Sequence, residues 1–417
     1  MKKASVIYLG CPKNLVLSEK LLGYLHSSGY DLTVPEEAEV AFLLSCGFIK
    51  DAKEETLQNL EYLGDLKKNG KLKKIVFTGC MASFFEEELK KEYTFIDEVI
   101  SSENMEKFLK KGERILSTKS YGYLKIAEGC DHKCSFCIIP LLTGPFKSRK
   151  IEEIVEEARN LEESEIFELI LIAQDTSSYG KDLYGKKMLK ELLEELLYKT
   201  SYPWIRLLYL YPEAFPFEIL ELMKKEKRIL PYFDLPFQHT SKNVLKKMER
   251  GGSSKSFIKL IEGIRREIPE AIIRSTFLLG FPGEGEEDLN ELKNFLKQTK
   301  MDRVGFFIYS DEPESMSFHL DGKIPKAIAK KRLMELAKIQ RDISLKKHKK
   351  LIGKKIPFLL EEKRGRYGYG RLLSQAPEID GFLRVEGLPE NFKGIGLVEI
   401  KRVSPYNFFG RYYENSK

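Results

Sequence analysis

Three cysteines crowd into one stretch of eight residues, Cys130-Asp131-His132-Lys133-Cys134-Ser135-Phe136-Cys137, in a C-x3-C-x2-C spacing. A loop this tight can offer three thiolates to three irons of a 4Fe-4S cubane and leave the fourth iron without a protein ligand, open to a substrate or cofactor. Two other readings compete. Cysteines are often buried as inert small hydrophobes, but Asp131, His132 and Lys133 make this stretch polar. Zinc normally takes four ligands. The nearest fourth candidate, His132, lies inside the loop, and no second Cys or His pair follows.

The remaining three of the six cysteines are Cys11, Cys46 and Cys80, far apart in the chain. Each closes an apolar run of strand type: Leu9-Gly10-Cys11, Leu44-Ser45-Cys46 and Thr78-Gly79-Cys80. One cysteine at a strand end is more often packing than ligation. Three at the same topological position, with none left over, predict a second three-thiolate cluster. Six cysteines in a chain of 417 residues are in any case poor disulfide candidates for a reducing compartment and better metal candidates.

The elements that must position these thiolates alternate in type. Over residues 1–117, apolar runs at 6–9, 40–44 and 75–78 alternate with helical patterns at 14–27 and 52–68. This predicts a doubly wound parallel sheet whose strands end along one edge, where such folds put ligands. Over 118–348 there are six strand-like runs, at 123–127, 169–173, 205–210, 232–235, 272–279 and 304–309, with charged amphipathic helices between them, as at 151–163 and 189–197. They predict a partial (β/α) barrel of about six units, its first strand leading into the three-cysteine loop on the face where barrels do chemistry. A long basic helix from Lys326 leads into 349–417, where runs at 356–360, 382–385 and 396–402 between Gly and Pro turns predict a small all-β barrel module. The fold class is therefore α/β with an added β-barrel.

Composition sets limits on function. At 42% hydrophobic and 32% charged, the chain is not a disordered one. Its net charge of +7, from 70 Lys and Arg against 63 Asp and Glu, is a mild bias compatible with a nucleic acid or ribosomal partner. No apolar run nears the roughly 20 residues of a membrane span. The run before Cys11 is shorter than the roughly 7 to 15 residues of a signal peptide. No membrane partner and a cytoplasmic location are expected.

The 130–137 loop resembles the signature of the radical S-adenosylmethionine superfamily. That resemblance implies that the open iron binds the amino and carboxylate groups of S-adenosylmethionine and that Phe136 lies by the adenine. Ala173-Gln174-Asp175-Thr176 falls where the superfamily contacts the methionine part, in place of a commoner Gly-Gly-Glu form, and Gln174 becomes a cofactor candidate. Arg274 sits inside a strand, where a barrel interior rarely tolerates an unpaired guanidinium, so its partner is the cofactor carboxylate or a structural acid. Phe281-Pro282-Gly283-Glu284 is a turn, and the lone His239 is left without a role.

End to end, the chain resembles the methylthiotransferases: an auxiliary-cluster domain (1–117), a radical barrel (118–348) and a TRAM-like substrate-binding module (349–417). Within the family it resembles the members acting on an aspartate of small-subunit ribosomal protein twelve. Gly10-Cys11-Pro12-Lys13-Asn14-Leu15-Val16, Cys46-Gly47-Phe48-Ile49, Cys137-Ile138-Ile139-Pro140 and Gln174-Asp175-Thr176-Ser177 carry this. So do Asp234-Leu235-Pro236-Phe237-Gln238-His239, Arg274-Ser275-Thr276-Phe277 and Ala376-Pro377-Glu378-Ile379-Asp380-Gly381. Transfer-RNA members usually carry a different pair after the first cysteine and an acidic residue near position 277. The stretch 142–147 departs from the family's Arg-containing loop.

The resemblance implies two 4Fe-4S clusters, one on Cys130, Cys134 and Cys137 and an auxiliary one on Cys11, Cys46 and Cys80. It also implies that one S-adenosylmethionine would methylate sulfur held at the auxiliary cluster, and that a second, cleaved by an electron from the other cluster, would supply a deoxyadenosyl radical to take hydrogen from the aspartate β-carbon. Such chemistry lies with the cofactor, in keeping with the lack of paired carboxylates or a catalytic triad. An electron donor such as flavodoxin or ferredoxin is implied as a partner. The alternatives are a transfer-RNA adenosine methylthiotransferase and, in another class, a non-catalytic metal-bound RNA-binding protein. In the β-module, Lys354, Lys355, Arg364, Arg366 and Arg371 would attract phosphate. Glu361, Glu362, Glu378, Asp380 and Glu386 would repel it and suit a basic ribosomal protein.

Overall fold

The computed structural model describes residues 2–109 and 114–414. Among these, strands β1 (Lys2–Tyr8), β2 (Tyr30–Leu32), β3 (Val40–Ser45), β4 (Lys74–Gly79) and β5 (Glu98–Ser101) form a parallel sheet in the order β2-β1-β3-β4-β5. Successive side chains of a strand point to opposite faces, and β3 uses both. Ala41 and Leu43 pack with Leu60, Leu63 and Leu66 of the helix Lys50–Lys68. Val40 and Leu44 pack with Leu17, Leu21 and Leu25 of the helix Pro12–Ser27. Helices on both faces make the sheet doubly wound, as expected. The edge strands β2 and β5 are additions, since neither has the apolar run that marks β3 and β4.

The middle of the chain supplies β6 (Tyr121–Lys125), the antiparallel ribbon β7 (Ala127–Glu128) and β8 (Lys147–Ser148), and then β9 (Glu168–Ile172), β10 (Trp204–Leu207), β11 (Tyr232–Asp234), β12 (Ile272–Leu279) and β13 (Arg303–Ile308). Two parallel halves, β6-β9-β10 and β11-β12-β13, meet at the parallel bridge between Ile205 and Ile229. The six strands thus form an open arc, a partial barrel. Leu124, Leu169, Leu171, Ile205, Leu207 and Phe233 point to the surrounding helices.

After the helix Lys326–Lys349, strands β14 (Lys355–Arg364), β15 (Tyr367–Leu372), β16 (Leu383–Glu386), β17 (Ile395–Val403) and β18 (Phe408–Tyr413) close a barrel with its own apolar core. Strands β15 and β18 were not expected, because Gly, Tyr and Arg obscure the alternation in YGYGRL and FFGRYY.

The other face of the arc is sealed by its neighbours. Tyr121, Tyr123, Ile170, Ile172, Trp204, Leu208 and Tyr232 pack with Leu15 and Val16 of the first helix and with Leu359 and Ala376 of the β-module. Within this seam Glu168 is fully buried and accepts from Arg206 Nε at 2.6 Å and Arg371 Nη2 at 2.5 Å. Tyr232 donates to Asp380 at 2.5 Å, and Ala376 N donates to the same carboxylate at 2.9 Å. Arg371 and Asp380, read from the sequence as charges for a partner, are therefore structural pins between barrel and module. A carboxylate or guanidinium buried like this persists only when paired, and losing one partner costs about 3 to 5 kcal/mol.

Candidate functional site

The three-cysteine loop is held by its backbone and its polar side chains. It begins at Gly129, whose φ of +78° and approach to Pro145 O, where a Cβ would sit only 2.0 Å away, admit glycine alone. Cys130 N donates to Gly144 O, Cys137 N to Cys134 O, and Ser135 Oγ to Lys247 O. Asp131 accepts from Phe146 N at 2.9 Å. His132 is hydrogen-bonded through Nε2 to Asp175 at 2.8 Å and stacks on Tyr211 with ring centres 3.8 Å apart. His132 is thus held in place by a carboxylate on one ring nitrogen and an aromatic face.

Burial pushes Cys130 up to about 11 and Cys137 up to about 12, and it also raises Cys134. Thiols of this kind are uncharged until a metal takes the proton's place. Arg250 lies behind Cys134, its Nη1 3.7 Å from Sγ and its Nη2 donating to Pro236 O at 3.0 Å. No local signal pointed to Arg250, which is 116 residues away in the chain. Phe136 is half-buried against the barrel core. Gln174, just past β9, donates through Nε2 to Glu128, while its Oε1 is buried without a partner. Asp175 accepts from Ser177 N and Ser178 Oγ besides holding His132. Its position as a turn cap beside Gln174 was a usable sequence signal.

The other triplet is assembled by topology. Cys11 caps the helix Pro12–Ser27, Cys46 follows β3, and Cys80 opens the short helix Cys80–Phe84 after β4. Gly10 and Gly79 both have positive φ, and a Cβ on Gly10 would lie 2.9 Å from Cys46 Sγ. Asn14 Nδ2 donates to Leu9 O at 2.8 Å and Ser45 O at 2.9 Å, tying the ends of β1 and β3. Ser45 Oγ donates to Thr78 O at 2.6 Å and accepts from Met81 N, tying β3 to β4. Burial pushes Cys80 up to about 12 and raises Cys46.

The two triplets face one gap. The helix Cys80–Phe84 packs on the helix Ile139–Thr143, which begins two residues after Cys137. Lys13 extends from the first helix over the ring of Tyr209, 5.2 Å from its centre, at the end of β10. Burial opposes the charge on Lys13, but Cys11, Tyr209, Glu128 and Cys80 outweigh it, and its pKa is raised. The same ammonium acts on Cys137 across the gap. All six cysteines are free. Among the described residues no three Cys, His, Asp or Glu side chains gather closely enough to hold one ion. A cubane asks for wider spacing, one thiolate on each of three irons, and this all-sulfur donor set suits iron–sulfur ligation.

Of the partners expected for Arg274, the structure provides acids: Nη1 donates to Asp234 at 2.5 Å, and Nε lies 3.9 Å from Asp380. His239 is fully buried, with Nδ1 accepting from Ser241 N, and burial lowers it to about 4. The 281–284 turn places Glu284 against Arg332 at 2.6 Å.

Comparison with known proteins agrees with this geometry. The Radical SAM superfamily matches residues 124–296, the family described as uncharacterized protein family UPF0004 matches 3–101, and the TRAM domain matches 352–412. The ribosomal protein uS12 methylthiotransferase RimO of Aquifex aeolicus is 42% identical over 98% of this chain and 97% of its own. The chain belongs to the uS12 methylthiotransferase family. Further relatives of the same description, from Clostridioides difficile and Flavobacterium psychrophilum, are 41% and 37% identical over 98% and 97% of this chain, and 98% and 96% of theirs. Among solved structures, the radical S-adenosylmethionine methyltransferase TsrM from Kitasatospora setae aligns over 74% of this chain and 75% of its own, with TM-score 0.54 and 12% identity. The cobalamin-dependent radical enzyme OxsB aligns over 82% of this chain and 56% of its own, with TM-score 0.52 and 12% identity. At such identity these two share the fold. Among the described residues of this uS12 methylthiotransferase family member, no helix is long and apolar enough to cross a membrane.

Proposed function

We propose that the chain transfers a methylthio group to the β-carbon of an aspartate in ribosomal protein uS12. It is a radical S-adenosylmethionine methylthiotransferase that works with two 4Fe-4S clusters and S-adenosylmethionine. In this reading residues 1–117, 118–348 and 349–417 are its three domains. Cys130, Cys134 and Cys137 hold the cluster whose fourth iron is open to the cofactor, and Cys11, Cys46 and Cys80 hold the auxiliary cluster. What supports it is the meeting of the two triplets across one gap in a chain 42% identical to a uS12 methylthiotransferase over nearly its full length.

When bound, these groups supply the one-electron chemistry that breaks an unactivated C–H bond, together with the methylthio group itself. The chain's own residues orient and exclude. Phe136 offers an aromatic face for an adenine, and the unpartnered Gln174 Oε1 accepts from a bound amine or hydroxyl. Asp175 and Tyr211 fix His132, and through it the loop, so the thiolates need no rearrangement when they ligate. Arg274 is assigned to the seam through Asp234 and Asp380. The sealed face of the arc keeps water from that side of the reacting gap. The electron comes from a small donor such as a flavodoxin or ferredoxin, and the enzyme works in the cytoplasm.

The test is an anaerobic incubation of the enzyme with reductant, S-adenosylmethionine, uS12 and transfer RNA in one vessel. Methylthio mass on a single aspartate-containing uS12 peptide is the expected result. The addition on a transfer-RNA adenosine, with uS12 unchanged, would contradict the reading.

A further inference from the structure

Lys13 stands at the gap, half-buried, as a cation with no direct ion-pair partner among the described residues. Among the described residues its ammonium makes no hydrogen bond and no ion pair, and it stands over the Tyr209 ring, 5.2 Å from its centre. The other cations around the triplets that are not exposed to solvent are paired. Arg250 serves Cys134, Pro236 O and Glu213. Lys125 is held between Glu106 and Glu128. Arg274 pairs with Asp234, and Arg149 with Glu157.

Position strengthens the point. Pro12 begins the helix, so Lys13 stands in its first turn, two residues after Cys11. The strap from Asn14 to Leu9 O and Ser45 O fixes that turn against two strand ends. Tyr209, beneath the ammonium, is held with φ of +60°, a left-handed conformation costly for a non-glycine residue. Its own N donates to Asp234 at 3.0 Å, and its O accepts from Thr176 N. Both domains thus commit local order to bringing this ammonium and this ring together beside Cys11.

A reacting aspartate β-carbon carries its carboxylate one bond away. Brought between the triplets, that carboxylate leaves water and needs a cation already in place. We infer that Lys13 is the specificity-determining residue that receives the carboxylate of the substrate aspartate, with the Tyr209 ring as the floor that positions the ammonium. The inference rests on the substrate reading above and adds the group that recognises the acid. Lys13 is a binding residue in this scheme and takes no part in bond making.

The experiment uses the anaerobically assembled enzyme and two synthetic peptides spanning the modified uS12 loop, one with Asp and one with Asn at the target position. The wild-type enzyme binds the Asp peptide more tightly, on the order of 30-fold, as expected for a desolvated charge pair. In Lys13→Met the preference falls to within about 3-fold, the range of a contact between neutral groups. Lys13→Arg, which keeps the charge, retains most of it. An unchanged preference in Lys13→Met overturns the inference. So does a loss of iron in that variant that Lys13→Arg shares, which would make the residue a support of the auxiliary site. Weakened S-adenosylmethionine binding with the Asp preference intact would hand the ammonium to the cofactor's carboxylate and overturn it as well. If neither peptide binds the wild-type enzyme while a transfer RNA does, the failure belongs to the substrate reading beneath.

Discussion

The two cysteine triplets reach similar ends by opposite routes. Cys130, Cys134 and Cys137 sit within one loop whose shape depends on Gly129, on local backbone bonds and on the His132–Asp175 contact. Cys11, Cys46 and Cys80 are brought together only when β1, β3 and β4 pair in register and their ends are laced by Asn14 and Ser45. A local site tolerates distant damage, whereas a site assembled by a sheet inherits every fault in that sheet. The difference gives the two triplets distinct vulnerabilities, and each can be broken separately.

The largest effect comes from removing ligands. Replacing Cys130, Cys134 and Cys137 together by Ala abolishes cleavage of S-adenosylmethionine, and replacing Cys11, Cys46 and Cys80 leaves cleavage intact while product formation stops. Each variant retains about half the wild-type iron, from two equal clusters. Quantification of deoxyadenosine, methylthiolated peptide and iron checks all three outcomes. Product formed at the normal rate without Cys11, Cys46 and Cys80 would contradict the assignment.

Backbone substitutions come next. A Cβ at Gly129 would meet Pro145 O, and a Cβ at Gly79 would lie 2.5 Å from Ser45 N and O, with φ positive at both. Gly129→Val disables the loop site and leaves the sheet site loaded, and Gly79→Val does the reverse. Iron content with cofactor cleavage separates the two. Equal damage to both sites by either variant would mean that they do not assemble independently.

Much of this division was legible in the sequence. The continuous apolar runs 40–44 and 75–78 marked the central strands, and the cysteine closing each run marked the ligating edge, since a parallel sheet places those ends side by side. Edge strands β2 and β5 lacked such runs, because a half-exposed edge needs little apolar surface. Charges in the β-module were harder. Arg371 and Arg364 look alike in a sequence, yet Arg364 is exposed while Arg371 is buried against Glu168, 203 residues away. Nothing local distinguishes a solvated arginine from one that pins two domains together. Arg250 behind Cys134 was hidden for the same reason.

Smaller substitutions sharpen the contrast. Ser45→Ala removes the buried hydroxyl that bridges Thr78 O and Met81 N. It costs about 1 to 3 kcal/mol of stability, because two backbone groups lose a partner. Thermal unfolding together with iron content reports it: iron at the sheet site falls before iron at the loop site.

A last effect is a pH dependence on the barrel side. Burial lowers His239 and His348 to about 4, so both are neutral in the fold. The unfolded chain takes up their protons below about 6.5 and the folded chain only near 4, so stability is lost as pH falls through that window. His348 accounts for about 2 to 3 kcal/mol of it. It joins the long helix to the β-module through Ser404 O at 2.9 Å, whereas the one histidine of the sheet domain, His26, is exposed. Urea unfolding at pH 7 and pH 5 therefore shows a loss that His348→Gln reduces. An equal loss in the variant would remove His348 from the account.

The central claim is that the loop triplet and the sheet triplet hold two clusters facing one gap across Lys13 and Tyr209. Electron paramagnetic resonance on the fully reduced protein tests it most directly, with the two triple-Ala variants as references for each cluster alone. Two reduced clusters facing each other couple magnetically, so the wild-type spectrum should differ from the sum of the two reference spectra. A wild-type spectrum equal to that sum would place the clusters apart and contradict the account.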